Sequence, residues 1–185
     1  MRNWGMVLPR RGLAALLASA ATGALLLPSA ARAEPSTVPA NASLATVLGA
    51  RDWLNGRPDA AGLRGKVVLV DVFTFDCYNC KNITPNLRAL HRRPSTDGLV
   101  ILGIHSPETA WEHDRAQVVS HLATLGVTWP VALDNSFALW RAYGIEYWPT
   151  QLLFDRRGKL RDVIIGDSQD AVVNAKIATL LREPA

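Results

Sequence analysis

One stretch of the chain decides the fold: Lys66-Val67-Val68-Leu69-Val70-Asp71-Val72-Phe73-Thr74-Phe75-Asp76-Cys77-Tyr78-Asn79-Cys80. Its first ten residues are an almost unbroken run of β-branched and aromatic side chains, which is typical of a central strand that is covered on both faces. From about Tyr78 to Arg92 the apolar residues recur at helical spacing, so we expect a helix there. Both cysteines of the chain therefore lie where the strongest predicted strand gives way to a helix.

The rest of the chain alternates between the same two element types. We predict further strands at 99–105, 129–133, 150–154 and 160–165, and helices at 114–125, 135–143 and 168–181. The last helix is expected to direct Val172, Val173, Ile177 and either Leu180 or Leu181 inward. Strands that alternate with helices, followed by a hairpin and a closing helix, indicate an α/β domain with a central mixed β-sheet flanked by helices.

The net charge of +4 is not distributed evenly along the chain. Residues 1–33 contain four of the 20 basic residues and none of the 16 acidic ones, so the remaining 152 residues carry equal numbers of each. A nucleic-acid-binding surface needs a surplus of Lys and Arg, and a neutral domain has none. We therefore expect no nucleic acid among the partners.

Residues 1–33 have the pattern of an export signal. A basic start is followed by an apolar stretch of 15 residues, Leu13 to Leu27, and then by the small residues of Ala31-Arg32-Ala33. We expect cleavage between Ala33 and Glu34, a flexible leader over 34–45 and one domain over 46–185, in a periplasmic or otherwise exported compartment. A retained membrane anchor is the alternative, although spanning takes roughly 20 apolar residues. The pair Arg10-Arg11 is similar to the twin-arginine export pattern, so the general and the twin-arginine routes both stay open.

The spacing of Cys77 and Cys80 predicts redox chemistry. In an exported protein two cysteines three residues apart are expected to form a disulfide. The loop that it closes is too short to stabilise the fold much, whereas a short and accessible disulfide exchanges readily. Because a helix start stabilises a thiolate, Cys77 is the predicted nucleophile and Cys80 the resolving thiol. An inert disulfide or half of a zinc site is the alternative, but no second ligand pair follows at motif spacing.

The segment around the cysteines resembles the active site of thioredoxin-fold oxidoreductases. Besides the two cysteines, the resemblance rests on Asp71, on Pro85 and on Trp148-Pro149-Thr150. Within that superfamily the chain is most similar to the exported TlpA-like branch, in particular to the C-terminal thioredoxin-like domain of DipZ-type proteins. This resemblance implies a thioredoxin-like fold with an N-terminal extension and the inserted strand and helix typical of TlpA-like proteins.

The resemblance also implies roles for residues and partners. Asp71 would move protons for the resolving thiol, and Pro149 would follow a cis peptide bond. The predicted substrate-binding residues are Trp148, Pro149, Tyr78 and Asn79. Protein thiols or disulfides would be the substrates, a membrane electron donor of the DsbD or CcdA type the partner, and the redox-active disulfide would make any other cofactor or metal unnecessary. We expect a monomer.

Two features of the sequence leave the direction and type of chemistry open. Asp76 stands where the family usually has Trp, and its charge would raise the pKa of Cys77, which favours a reducing enzyme. Two alternative functions are Cu(I) binding by Cys77, Cys80 and His105, and peroxide reduction, since Thr74-x-x-Cys77 is similar to a peroxidatic motif.

Overall fold

The computed structural model describes residues 1, 39, 42–93 and 98–184. The predicted export signal therefore lies outside the described residues except for Met1, and so does most of the predicted leader. The described part of the chain forms, in order, α1 (Leu44–Leu48), β1 (Trp53–Leu54), β2 (Val67–Phe73), α2 (Tyr78–His91), β3 (Leu99–His105), a 3₁₀ turn (Ala110–His113), α3 (Arg115–Leu125), β4 (Val131–Leu133), α4 (Ala138–Ala142), β5 (Thr150–Phe154), β6 (Leu160–Ile165) and α5 (Asp170–Arg182).

The strands form one mixed sheet in the order β1-β4-β3-β2-β5-β6. Strands β2, β3 and β4 are parallel to one another, whereas β1, β5 and β6 pair antiparallel with their neighbours. All seven residues of β2 are buried, which is the consequence of a central position with both faces covered. The predicted α/β fold with a mixed sheet is thereby confirmed.

Alternate residues of β2 face two separate parts of the core. Val67, Leu69 and Phe73 pack in a cluster that includes apolar residues of α2, α3 and α5. Val68, Val70 and Val72 pack in a second cluster with residues of α1 and α4. Since side chains of a strand alternate between faces, Asp71 has the parity of the first set and lies on the face covered by α2.

Most boundaries agree with the predicted elements, and the differences have local causes. Helix α1 begins at Leu44, inside the predicted leader, because the Ser43 hydroxyl accepts a hydrogen bond from the Ala45 N–H at 3.2 Å and because Leu44 and Val47 are buried. The prediction that Val172 points inward is wrong: its side chain is exposed, and the buried face of α5 consists of Val173, Ile177 and Leu180.

Within the described ranges, no helix combines the length and apolar character needed to cross a membrane.

Candidate active site

The two cysteines lie at the start of α2, directly after the carboxyl end of β2. Cys77 is the N-cap residue of the helix, and its sulfur accepts a hydrogen bond from the backbone N–H of Cys80 at 3.3 Å. Thr84, one turn further on, donates its hydroxyl to the Cys80 carbonyl at 2.9 Å. Unpaired N–H groups at a helix start favour a negative charge, so this position suits a thiolate at Cys77.

The structure contains the pair as two free thiols, which differ in exposure and acidity. Cys77 is half-buried, whereas Cys80 is only 3% exposed. A hydrogen bond from the Cys80 thiol, together with backbone N–H groups, lowers the pKa of Cys77 to about 7 despite partial burial. The same hydrogen bond and burial raise the pKa of Cys80, so that Cys80 keeps its proton while Cys77 loses one.

Asp71 is the buried acid of this site. It is 3% exposed, and its Oδ1 atom has no hydrogen-bond partner within the described structure. Burial, followed by the charge of Cys77, raises the pKa of Asp71 to about 8. The charge of Asp71 in turn contributes to the raised pKa of Cys80, which couples the carboxyl group to the inner thiol.

Asp76 does not have the electrostatic role expected from its position. Its carboxylate forms a hydrogen-bonded ion pair with Lys81 at 3.1 Å, and both side chains are largely exposed. The carboxylate whose charge raises the pKa of Cys77 is that of Glu108, which lies in the loop after β3. The sequence predicted that a carboxylate next to Cys77 raises the pKa of that thiol. Only the tertiary structure identifies this carboxylate as Glu108, in the loop after β3.

The Trp148–Pro149 peptide bond is cis and borders the same end of the sheet. The Trp148 indole donates a hydrogen bond to the Ser106 carbonyl at 3.0 Å and packs against the Trp140 ring, with 4.2 Å between ring centroids. Trp148 and Cys77 both pack against the core cluster on the α2 side of the sheet. Tyr78 is 76% exposed and Asn79 is exposed as well, so both are accessible at the helix start.

The position of His105 does not support the alternative in which it binds Cu(I) with Cys77 and Cys80. The ring is fully buried and stacks on Phe75 at 5.4 Å between centroids, and its Nδ1 atom has no partner in the described structure. Burial lowers its pKa to about 4, so the imidazole is neutral at physiological pH. No cluster of three or more His, Cys, Asp or Glu side chains that could hold a metal occurs among the described residues.

Sequence reasoning missed Glu112, a fully buried carboxylate beside the segment that leads to Cys77. It accepts a hydrogen bond from the Thr74 hydroxyl and one from the Asp76 N–H at 3.1 Å. Since the Thr74 hydroxyl donates to Glu112, this geometry does not support the peroxidatic interpretation of Thr74-x-x-Cys77. The pattern Thr109-x-x-Glu112 could have identified a capping box, but not the contact with Asp76, which lies 36 residues earlier.

The cysteines lie apart from a cavity of about 490 Å³ that has apolar and basic lining residues. That cavity lies between α1 and the turn that joins β5 to β6, with Leu44, Leu63, Arg64 and Arg157 in its wall. Cys77 is half-buried at the helix start and does not line this cavity.

Comparisons with family profiles, with protein sequences and with solved structures all match thioredoxin-like or thiol–disulfide-exchanging proteins. The profile of a family described as thioredoxin-like matches residues 65–160. Protein DipZ of Mycobacterium bovis is 35% identical over 139 residues, or 73% of this chain, but the match spans only 20% of DipZ. The chain thus corresponds to about a fifth of that relative.

Two further matches cover nearly all of the compared protein. The protein named thiol-disulfide oxidoreductase YkuV of Bacillus subtilis is 28% identical over 136 residues, 73% of this chain and 91% of YkuV. The crystal structure of a thiol-disulfide isomerase from Corynebacterium glutamicum has a TM-score of 0.64 and 28% identity, and the match covers 72% of this chain and 93% of that structure.

Proposed function

Because this chain belongs to the thioredoxin-like family, we propose that it is an exported thiol–disulfide oxidoreductase that reduces disulfide bonds of protein substrates. The observation that carries this proposal is the difference between the two thiols at the start of α2. Cys77 is accessible and acidic, while Cys80 is buried and keeps its proton. This is the arrangement that an attacking and a resolving thiol require.

In the proposed reaction the Cys77 thiolate attacks one sulfur of a substrate disulfide. The substrate S–S bond breaks, a mixed disulfide with Cys77 forms, and the first substrate sulfur leaves as a thiolate that takes up a proton. Asp71, in its ionised form, then accepts the proton of Cys80, and the Cys80 thiolate attacks the Cys77 sulfur. The second substrate sulfur leaves as a thiolate that takes up the proton from Asp71, the enzyme retains a Cys77–Cys80 disulfide, and two electrons have passed to the substrate.

The acidity of Cys77 supports a reducing direction. Its pKa of about 7 is close to the value typical of thioredoxin, whereas strongly oxidising relatives such as DsbA stabilise a thiolate with a pKa of about 3.5. A less stabilised thiolate makes the dithiol the better electron donor. We therefore expect a reduction potential closer to about −270 mV than to about −120 mV.

Trp148, Pro149, Tyr78 and Asn79 are the proposed substrate-binding residues. Tyr78 and Asn79 are exposed and Trp148 is partly exposed, whereas Pro149 is buried and would act through the cis peptide bond that it forms with Trp148. Apocytochrome c and misfolded exported proteins are the proposed classes of client, and a membrane protein of the DsbD or CcdA type is the proposed electron donor. Export rests on the signal pattern of residues 1–33.

The test combines turnover with trapping. The purified protein should accelerate the reduction of insulin by dithiothreitol, and Cys80→Ser should accumulate mixed disulfides because the resolving thiol is missing. Cys77→Ser is the matched control, since it should neither turn over nor trap. Absence of turnover together with an absence of Cys77-linked adducts in the Cys80→Ser variant would refute the proposed function.

A further inference from the structure

Glu112 is a buried carboxylate with an unusual set of neighbours. The side chain has no exposed surface, and the hydrogen bonds described for it all come from uncharged groups: the backbone N–H groups of Asp76, Glu108 and Thr109 and the hydroxyls of Thr74 and Thr109. Burial opposes its ionisation, but these donors outweigh burial, and the pKa of Glu112 is lowered. An ionised carboxylate is the form that accepts five such bonds.

The two oxygens of Glu112 bind different parts of the chain. Oε2 accepts from the N–H groups of Glu108 at 2.8 Å and Thr109 at 2.7 Å and from the Thr109 hydroxyl at 3.0 Å. These contacts are local, and they are what a capping box at the start of the 3₁₀ turn requires. Capping therefore accounts for Oε2 alone.

The other oxygen, Oε1, reaches the segment that enters the active site. It accepts from the Thr74 hydroxyl and from the Asp76 N–H, which belongs to the residue directly before Cys77. Strand β2 ends at Phe73 and α2 begins at Tyr78 with Cys77 as its N-cap, so residues 74–76 belong to neither element. A bond to the N–H of Asp76 consequently restrains the backbone at the point where Cys77 enters the helix start.

We propose that Glu112 is a positioning residue that fixes residues 74–76 and thereby holds the Cys77 sulfur in line with the N–H groups at the start of α2. The role rests on the proposed thiol chemistry of Cys77 and extends it to a residue 35 positions later. Through Oε2 the same carboxylate restrains Glu108, whose charge acts on Cys77. One side chain thus links the two loops that define the surroundings of the reactive sulfur.

Glu112→Gln tests the proposal with an almost unchanged shape. The amide nitrogen of Gln is a donor, so whichever oxygen it replaces must face N–H and O–H groups that also donate. If residues 74–76 lose their restraint, Cys77 should lose about one hydrogen bond to its thiolate, which corresponds to a rise of about one pH unit in its titration midpoint. Below that midpoint thiol exchange should slow about threefold, because the tenfold loss of thiolate is partly offset by greater nucleophilicity.

Two further variants separate positioning from general destabilisation. Thr74→Val removes one donor to Oε1 and leaves the capping contacts of Oε2. The titration midpoint of Cys77 should therefore rise in this variant too, but by less than in Glu112→Gln. Val47→Ala removes buried volume from the opposite core cluster and should reduce stability without moving the midpoint.

The measurement is the pH dependence of iodoacetamide alkylation at Cys77, followed by mass spectrometry on the reduced protein. A raised midpoint in Glu112→Gln and Thr74→Val but not in Val47→Ala supports the proposal. A wild-type midpoint in folded Glu112→Gln overturns it and leaves Glu112 as a cap. If Glu112→Gln does not fold, Thr74→Val decides by the same criterion. Since alkylation needs no protein disulfide, failure of the proposed function would appear separately, in the insulin assay.

Discussion

At the scale of single residues, the buried carboxyl group of Asp71 lowers the free energy of unfolding, although the proposed reaction uses this group. Its carboxyl group is buried, Oδ1 has no hydrogen-bond partner among the described residues, and its pKa rises from 3.8 to about 8 on folding. Below pH 4 the folded and unfolded states are both protonated, so the group has no effect. Between pH 4 and 8 the unfolded state loses its proton first, and the free energy of unfolding therefore falls as pH rises.

Asp71→Asn should remove this pH-dependent loss of folding stability. One pKa unit is worth 1.36 kcal/mol, which sets an upper limit of about 4 kcal/mol at pH 7. The buried Asn amide needs partners of its own, so we expect a net gain of about 1 to 3 kcal/mol together with slower resolution of mixed disulfides. Urea unfolding of the reduced proteins at pH 5 and at pH 7.5 measures the gain. An equal difference between variant and wild type at both pH values would contradict the assigned cause.

A second prediction at the residue scale concerns the acidity of Cys77. Because its pKa is lowered to about 7, the rate of thiol exchange should rise with pH through about 7 and level off above it. Glu108→Gln removes the carboxylate that raises this pKa, so the midpoint should move to lower pH. Asp76→Asn is the matched control, since Asp76 is paired with Lys81, and should leave the midpoint nearly in place.

At the scale of elements, Asp134 connects α4 to the site. This buried carboxylate accepts hydrogen bonds from the N–H groups of Leu139 at 3.0 Å and Trp140 at 2.8 Å and from the Ser106 hydroxyl at 3.1 Å. Helix α4 has only five residues, so these contacts supply much of what holds it. Trp140 in turn packs against Trp148, beside the cis bond.

Asp134→Ala should therefore loosen α4 as well as lower stability. Buried N–H groups left without an acceptor cost about 1 to 3 kcal/mol, and we expect a loss of about 2 to 3 kcal/mol with a weaker near-ultraviolet circular dichroism signal from the paired indoles. Asp134→Asn keeps one acceptor oxygen and should lose about half as much. An unchanged indole signal in folded Asp134→Ala would show that the packing of Trp140 on Trp148 does not depend on this cap.

At the scale of the whole molecule, charge is divided unevenly between residues 1–33 and the rest of the chain. If residues 1–33 are removed, the remaining chain has 16 basic and 16 acidic residues and should bind polyanions no more than neutral proteins do. We expect the protein recovered from an exported fraction to begin at Glu34. Intact mass measurement tests this, and a full-length mass in the membrane fraction would instead indicate a retained anchor.

Much of the fold was predictable because its signals are local. The β-branched run of β2, the helical spacing after Tyr78 and the left-handed glycines Gly126 and Gly158 each express a preference of neighbouring residues. The error at Val172 has the opposite origin. Val172 and Val173 lie about 100° apart around the helix axis, and only the docking of α5 selects Val173 as the buried residue of the two.

The sequence by itself determined the element order and the place of Cys77 and Cys80 at a helix start, because each depends on residues close together in the chain. The mixed sheet was predictable from that order, since helices join the parallel strands and a tight turn joins β5 to β6. Only the tertiary structure decided that Glu112 holds the segment before Cys77, that Glu108 rather than Asp76 raises the pKa of that thiol, and that His105 is buried away from solvent. These contacts join residues about 30 or more positions apart. The carboxyl ends of parallel strands meet at one edge of the sheet, and which side chains converge there depends on how the loops pack.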